Sequence, residues 1–321
     1  MAKRKVLVTG GAGFIGSHLV DQLLKKNYEV VVMDNLSTGY AGYLPPKVTL
    51  VNADVRQKAK VAALFKKYHF DIVCHIAGLA SNINSFTDPY RDMEVNFFGT
   101  MNVVLSCLAF RVPRLLYASS MTVYGHPDKL PVAESQICRP FSYYGISKYA
   151  AERFAHATAE RPDLKFPLRV TSFRMFNVYG PRQSLTNPYQ GALAIFIGNL
   201  LRREPVKIFG DGKQSRDFIY IEDIVKAWTE AIDNPKSYGQ VYNLGFGKQI
   251  SIKELVTTII RAFRLNPAKY PIRYLPGRPG EQRFMQADIS LARRELNFRP
   301  QDNLASGLAK TIRWSKTEKT R

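Results

Sequence analysis

The feature that most constrains this chain is the run Val8–Gly16, VTGGAGFIG, in which Gly10, Gly13 and Gly16 follow the pattern G-x-x-G-x-x-G. Glycines at this spacing let backbone approach a pyrophosphate closely, and a following helix offers unpaired N–H groups and the positive end of its dipole. The spacing alone is weak evidence. Here it is preceded by the β-branched, apolar run Lys5–Thr9, which reads as a buried strand, and followed by helical spacing over Phe14 to Lys26. A second strand, Glu29–Asp34, ends in an acid 18 residues past Gly16. A carboxylate there accepts hydrogen bonds from ribose hydroxyls and repels a 2′-phosphate. No arginine adjoins Asp34, so the pattern favours NAD over NADP. Asp54, after a third strand, is placed to face the adenine or else lies on an exposed loop.

Strand and helix patterns alternate through the first ~175 residues, as parallel sheets covered on both faces do. Further strands are expected at Val48–Asn52, Asp71–His75, Arg114–Ser119 and Leu168–Arg174, with helices over Lys58–Tyr68, Asp88–Phe110 and Tyr144–Glu160. The fold class is α/β: a Rossmann doubly wound parallel sheet with a smaller C-terminal substrate-binding lobe. The expected division is a dinucleotide-binding unit over 1–176, with sheet elements also from about 208–248, and an interleaved lobe over 177–321. Tyr179–Gly191 and Lys269–Gly280, rich in Gly and Pro, read as loops that close over a ligand.

Composition narrows the class. With 321 residues and 45% hydrophobic content the chain can bury a substantial core. Runs such as Val30–Met33 and Ala192–Ile197 fall far short of the ~18 apolar residues of a membrane span. The basic Met1–Lys5 leads straight into a strand, without the apolar segment of a secretory signal. Cys74, Cys107 and Cys138 are odd in number and lack metal spacing, which suits a reduced cytoplasmic protein and no metal site. The net charge of +20 attracts polyanions. The basic residues are scattered, however, and no RNA-binding aromatic signature accompanies them. The charge reads as general surface charge plus an anionic substrate. A non-enzymatic NAD-sensing or nucleic-acid-binding protein is the competing class.

A second cluster carries the chemistry. Tyr144 and Lys148, four residues apart on a predicted helix, share a face. A neighbouring ammonium favours phenolate and lowers the phenol pKa from about 10. Such a phenol can take a proton from a sugar hydroxyl near neutral pH. Ser120 follows a strand, where its hydroxyl could bridge the substrate oxygen and the phenol.

With these residues the chain resembles an extended short-chain dehydrogenase/reductase of the NAD-dependent nucleotide-sugar epimerase/dehydratase group. The similarity runs from Val6 to about Phe298 through Thr9–Gly16, His75–Gly78, Tyr117–Gly125, Tyr144–Lys148, Arg174–Gly180, Gly210–Asp223 and Arg278–Glu281. It is greatest to UDP-glucose and UDP-N-acetylglucosamine 4-epimerases. The resemblance implies that Tyr144 removes the 4-hydroxyl proton, that NAD accepts the C4 hydride, and that the 4-keto sugar turns over and takes the hydride back on its other face. It makes Ser120, Tyr144 and Lys148 catalytic. It assigns cofactor contacts to Gly10, Gly13, Phe14, Ile15, Gly16, Asp34, Asn35, Asp54, Val55, Ile76, Ala77, Gly78, Asn96 and Ser119, besides Tyr144 and Lys148. Homodimerisation through the Asp88–Phe110 and Tyr144–Glu160 helices is implied as well. Dehydratases of this group place an Asp–Glu pair after the serine, and UDP-glucuronate decarboxylases a Glu two residues on. Met121 and Thr122 stand there instead, which leaves epimerisation.

On the substrate side the resemblance implies diphosphate contacts from Asn177 and Arg216, a clasp on UDP from Arg278 and Glu281, and Met285 against the sugar, beside Ser120. An arginine clamp suits a diphosphate because the guanidinium stays charged and offers forked donors. Two departures stand out: Ala80 replaces a family lysine, and Gln183–Asn199 diverges from the 4-epimerases. Arg182 could meet a sugar carboxylate, which makes UDP-glucuronate 4-epimerase the alternative within the class.

Overall fold

The computed structural model describes residues 3–187, 191–277 and 282–317. Its centre is a seven-stranded sheet built from β1 (Lys5–Thr9), β2 (Glu29–Asp34), β3 (Thr49–Asn52), β4 (Ile72–His75), β5 (Arg114–Ser120), β6 (Arg169–Met175) and a late strand, Val241–Leu244. The spatial order runs from Val241–Leu244 through β6, β5, β4, β1 and β2 to β3, and every pairing is parallel. The order reverses between β1 and β4, where the ends of two adjacent strands part and leave a crevice.

Alternation along each strand explains the layers. Val6 and Val8 join one buried cluster with Leu19, Val20 and Leu23 of α1 (Phe14–Lys25). Leu7 between them joins the opposite cluster with Val61 and Phe65 of α2 (Lys58–Tyr68). Period-2 side chains that are apolar on both faces need cover on both faces.

The stretch expected as one helix over Asp88–Phe110 is more articulated. A short α3 (Asn82–Thr87) precedes it, and the helix itself begins as α4 (Pro89–Met93), widens into a π turn at Glu94–Phe98, and continues as α5 (Gly99–Ala109). Pro89 starts α4 because its missing N–H is unneeded there, and Asp88 caps it by accepting from Arg91 N–H at 3.0 Å. Next comes α6 (Tyr143–Ala159), capped by Ser142, whose hydroxyl accepts from Gly145 N–H at 3.0 Å.

After β6 the chain builds the lobe: β7 (Asn177–Tyr179), α7 (Ala192–Leu201), β8 (Val206–Phe209), β9 (Ser215–Tyr220) and α8 (Ile221–Ala231). It then returns to the main sheet as β10 (Val241–Leu244) before β11 (Gln249–Ser251), α9 (Ile252–Ala262), β12 (Ile272–Leu275), α10 (Ser290–Leu296) and α11 (Leu304–Thr317). From the stretch 208–248 only β10 joins the main sheet. β9 pairs with β7 and β11, and β8 pairs with β12. The expectation of an irregular Lys269–Gly280 is corrected here. Ile272–Leu275 is a strand, parallel to Val206–Phe209, because its alternating side chains find an edge to pair with. No helix among the described residues is long and apolar enough to cross a membrane.

Candidate active site

The glycine turn is shaped by contact. Gly10 has φ +69°, and a Cβ there would meet Ala77 N at 2.8 Å; a Cβ on Gly16 would run into the Gly10 carbonyl. Only hydrogen fits at either position, which brings α1 close against β1 and the loop after β4. Gly13 caps α1 without a side chain, so the N–H groups of Phe14, Ile15 and Gly16 have no cap partner. They border a cavity that Asp34 also lines. Both Asp34 oxygens already accept backbone bonds, from Ala12 N–H at 3.0 Å and Leu36 N–H at 2.8 Å, which fixes the carboxylate for further donors. Burial pushes its pKa up.

Fifteen of the sixteen residues assigned to the cofactor line this one cavity: Gly10, Gly13, Phe14, Ile15, Gly16, Asp34, Asn35, Asp54, Val55, Ile76, Ala77, Gly78, Ser119, Tyr144 and Lys148. Asp54 is gripped by Arg56 and accepts from Asn35 Nδ2 at 2.8 Å, and the Arg56 pairing holds its carboxyl down at about 2. Asn96 is the exception. It is fully buried behind the wall, where its Oδ1 accepts from Leu79 N–H at 2.9 Å and its Nδ2 donates to Leu79 O at 3.1 Å. It therefore holds the loop that lines the cavity and does not itself face the cavity.

Ser120, Tyr144 and Lys148 meet at the same cavity. Ser120 sits at the end of β5, where its hydroxyl favours the phenolate of Tyr144. Its oxygen also accepts from Thr122 Oγ1 at 3.0 Å and Thr122 N–H at 3.3 Å. Thr122 and Met121 form a buried turn outside the cavity, so no carboxylate follows Ser120 into it.

The expected lowering of the Tyr144 pKa is not produced by the protein's own groups. Burial pushes the phenol up to about 12, against a lowering from the Ser120 hydrogen bond, and Asp92 raises it further. Burial equally pushes Lys148 down to about 7, and its Nζ stands 4.3 Å from the centroid of the Tyr117 ring.

Beneath Ser119 lies a network the sequence reading missed. Ser119 Oγ donates to Glu152 Oε2 at 2.6 Å, and Arg174 grips the same carboxylate through Nη2 at 2.6 Å and Nε at 3.1 Å. Arg174 Nη1 continues to Tyr124 Oη at 3.0 Å, whose hydroxyl donates to Asn243 Oδ1 at 2.7 Å. Strands β5, β6 and β10 and helix α6 are thereby tied together under the reactive groups.

The substrate-side assignments divide. Asn177 lines the cavity, and its Oδ1 is buried without a partner among the described residues. Gln183, missed in sequence, is 7% exposed, lines the same wall and has an equally unpartnered Oε1. Arg182 is corrected. It is absent from the cavity wall, and its Nη1 lies 2.8 Å from Asp21 Oδ2 of α1 in an ion pair, with the guanidinium over Tyr43 at 5.6 Å. Its φ of +65° and the contact of Pro181 O with His18 Nε2 at 2.9 Å turn the side chain towards α1. Met285 is also corrected: it is fully buried in the larger core and does not reach the cavity. Arg216, on β9, donates to Ser215 O at 2.8 Å, away from the cavity wall. Arg278 and Glu281 lie outside the described residues.

With this geometry in place, the comparisons decide the family. The model of the NAD dependent epimerase/dehydratase family matches residues 6–245. The chain belongs to that family. The UDP-glucose 4-epimerase of Mycolicibacterium smegmatis is 35% identical over 314 residues, covering 96% of this chain and 97% of the relative. Among solved structures, the UDP-glucose 4-epimerase of Thermotoga maritima with UDP-glucose superposes with a TM-score of 0.92 at 32% identity, covering 97% of this chain and 98% of that one. The UDP-N-acetylglucosamine 4-epimerase of Methanobrevibacter ruminantium M1, in complex with UDP-N-acetylmuramic acid, gives 0.90 at 32% identity over 99% of both chains. The family's cofactor is NAD, in keeping with the carboxylate at Asp34. The cradle suits it: a glycine turn that only hydrogen fits, an uncapped helix start, and an acid for ribose hydroxyls.

Proposed function

We propose that this protein is an NAD-dependent UDP-sugar 4-epimerase that interconverts UDP-glucose with UDP-galactose, or their N-acetylated counterparts. One observation carries the reading: Ser120, Tyr144 and Lys148 share a cavity with the glycine turn and Asp34, and no carboxylate follows Ser120 into it. The bound dinucleotide would be held by Gly10–Gly16, Asp34 and Lys148, and it supplies a reversible hydride acceptor and a positive charge. Tyr144 Oη takes the proton of the sugar 4-hydroxyl and later returns it. Ser120, fixed by Thr122, orients that hydroxyl. Lys148 favours the phenolate once the cavity carries positive charge. Asn177 Oδ1 and Gln183 Oε1, unpartnered among the described residues, are acceptors in need of donors, which suits a polyhydroxylated ligand. Without a carboxylic acid to expel water or drive decarboxylation, inversion at C4 is the outcome the site supports.

The assembly is a cytoplasmic homodimer, with a dinucleotide unit over 1–176 and a nucleotide-sugar lobe interleaved from 177 on. An apolar face supports the dimer: Phe86, Tyr90, Phe98, Tyr143 and Ile146, on α3, α4, the π turn and α6, are 40–85% exposed. Unpaired Cys74, Cys107 and Cys138 accord with a reducing compartment. The test is to mix purified protein with each UDP-sugar and follow C4 inversion by NMR. Interconversion of a UDP-hexose is expected, and its absence with every one would reject the reading. Tyr144→Phe should lose most turnover and keep NAD, and light scattering should give a dimer.

A further inference from the structure

Asp92 is a carboxylate that neither the sequence reading nor the family resemblance uses. It lies on α4, 1% exposed, two residues before the π segment. Two elements converge on it. Ser147 Oγ of α6 donates to Asp92 Oδ1 at 2.5 Å, and Asn96 Nδ2 of the π turn donates to Asp92 Oδ2 at 3.1 Å. Asn96 in turn holds both backbone groups of Leu79 in the cavity wall. Asp92 thus joins the residue directly before Lys148 to the loop that borders the dinucleotide cradle. The π turn accommodates this arrangement, since a widened turn shifts the side chains that follow it.

The groups around Lys148 come from every packed element. Tyr117 lies under it from β5, and His75 approaches from β4. Tyr144 and Glu152 share α6 with it, and the negative charge of Asp92 on α4 raises its pKa through space. The two carboxylates differ in employment. Glu152 is already bound to Arg174 and Ser119. Among the described residues, the hydrogen bonds to the Asp92 carboxylate come from the neutral donors Ser147 and Asn96. Its negative charge is therefore not matched by a guanidinium, and it is felt by Lys148 and Tyr144.

We propose that Asp92 is a positioning residue for the reaction: the counter-charge of the buried Lys148 ammonium, and the clip that fastens α6 to the wall of the dinucleotide cavity. The proposal rests on the epimerase reading, in which Tyr144 must lose its proton and Lys148 must keep its own. A negative charge beside both groups stabilises the protonated form of each. Removing it should therefore move both limbs of the pH–rate profile in one direction, towards acid. A purely structural clip would lower turnover and leave the profile in place.

The experiment is the pH dependence of kcat/KM for the holoenzyme and its Asp92→Asn variant, with bound NAD quantified in each. Asn keeps the size and one acceptor but not the charge. Both limbs are expected to shift acidward by on the order of half a unit or more, with NAD retained. Asp92→Ser, smaller and neutral, should give the same shift. A neutral variant that folds, holds NAD and keeps the wild-type profile overturns the proposal. Failure of both variants to fold also overturns it, because Asp92 would then be structural. Inactivity of the wild-type enzyme on every UDP-sugar would instead be a failure of the epimerase reading.

Discussion

Lys148 Nζ stands 4.3 Å from the centroid of the Tyr117 ring, and both side chains are buried. The phenol of Tyr117 also donates to Lys148 O at 3.4 Å, a long and weak bond. The ring is therefore the part of Tyr117 that matters to the ammonium, and a desolvated cation–π contact contributes on the order of 2 kcal/mol. Tyr117→Phe should keep turnover within about twofold of wild type. Tyr117→Leu should lower turnover at least about tenfold and move the basic limb of the pH–rate profile towards acid, since the protonated lysine loses its support. Steady-state kinetics across pH on both variants checks this. Equal behaviour of Phe and Leu would show that the ring does not serve the charge.

Arg182 pairs with Asp21 at 2.8 Å, across from the cavity that Gln183 borders. Each side chain is about a quarter exposed, so the pair contributes little by itself. Its consequence is positional, because it fastens the segment bearing Gln183 to α1. Arg182→Ala and Asp21→Ala should therefore raise KM similarly, by about two- to tenfold, for every UDP-sugar tested, with kcat less affected. A selective loss of UDP-glucuronate turnover in Arg182→Ala alone would return Arg182 to the role of a carboxylate receptor.

The Rossmann half was legible because local signals coincide there. Glu29–Asp34 matches its strand residue for residue, and the glycine turn needs no tertiary information. What escaped notice were partners that only packing creates. Glu152 follows Lys148 by one helical turn and Asn96 follows Asp92 likewise, so the shared faces were readable. Neither carries a sign of whom it meets across the sheet. Arg182 failed for a related reason. Its motif suggested a ligand contact, but a left-handed backbone at φ +65° turns the side chain onto α1. Met285 reads from sequence as a pocket wall, whereas an apolar residue is as readily drawn into the core.

Glu152 and Arg174 form a buried pair with side chains 1% and 7% exposed. Removing one partner leaves the other charge buried and unmatched, which costs about 3–5 kcal/mol. Glu152→Leu should be destabilised by that much in urea unfolding, and it should also release Ser119. The double variant Glu152→Leu/Arg174→Met should recover a substantial part of the loss, because no buried charge then remains. A double variant as unstable as the sum of the single ones would show that the pair is not coupled.

His75 gives the acid limit of the fold. The Thr100 hydroxyl donates to Asn96 O at 2.6 Å, so its oxygen accepts from His75 Nε2–H at 2.9 Å. His75 Nδ1 then accepts from Thr9 Oγ1–H at 2.6 Å, while the Thr9 oxygen takes the N–H groups of Ile76 and Ala77. This arrangement suits a neutral ring, and burial, aided by the Lys148 charge, pushes the pKa down to about 3. An unfolded chain protonates the imidazole near pH 6.5. The folded state therefore binds fewer protons between about pH 6.5 and 3, and stability is full above that window and declines as pH falls through it. Buried Asp217, pushed up to about 6, works in the opposite direction, so the contribution of His75 is the difference between the two proteins. Between pH 7 and pH 4 the wild-type protein should lose on the order of 3 kcal/mol more stability than His75→Gln, measured by urea unfolding at fixed ionic strength. Parallel curves for the two proteins would mean that the native imidazole takes up its proton as readily as the unfolded one, with Nδ1–H then donating to Thr9 Oγ1 and the Thr100 bond unchanged.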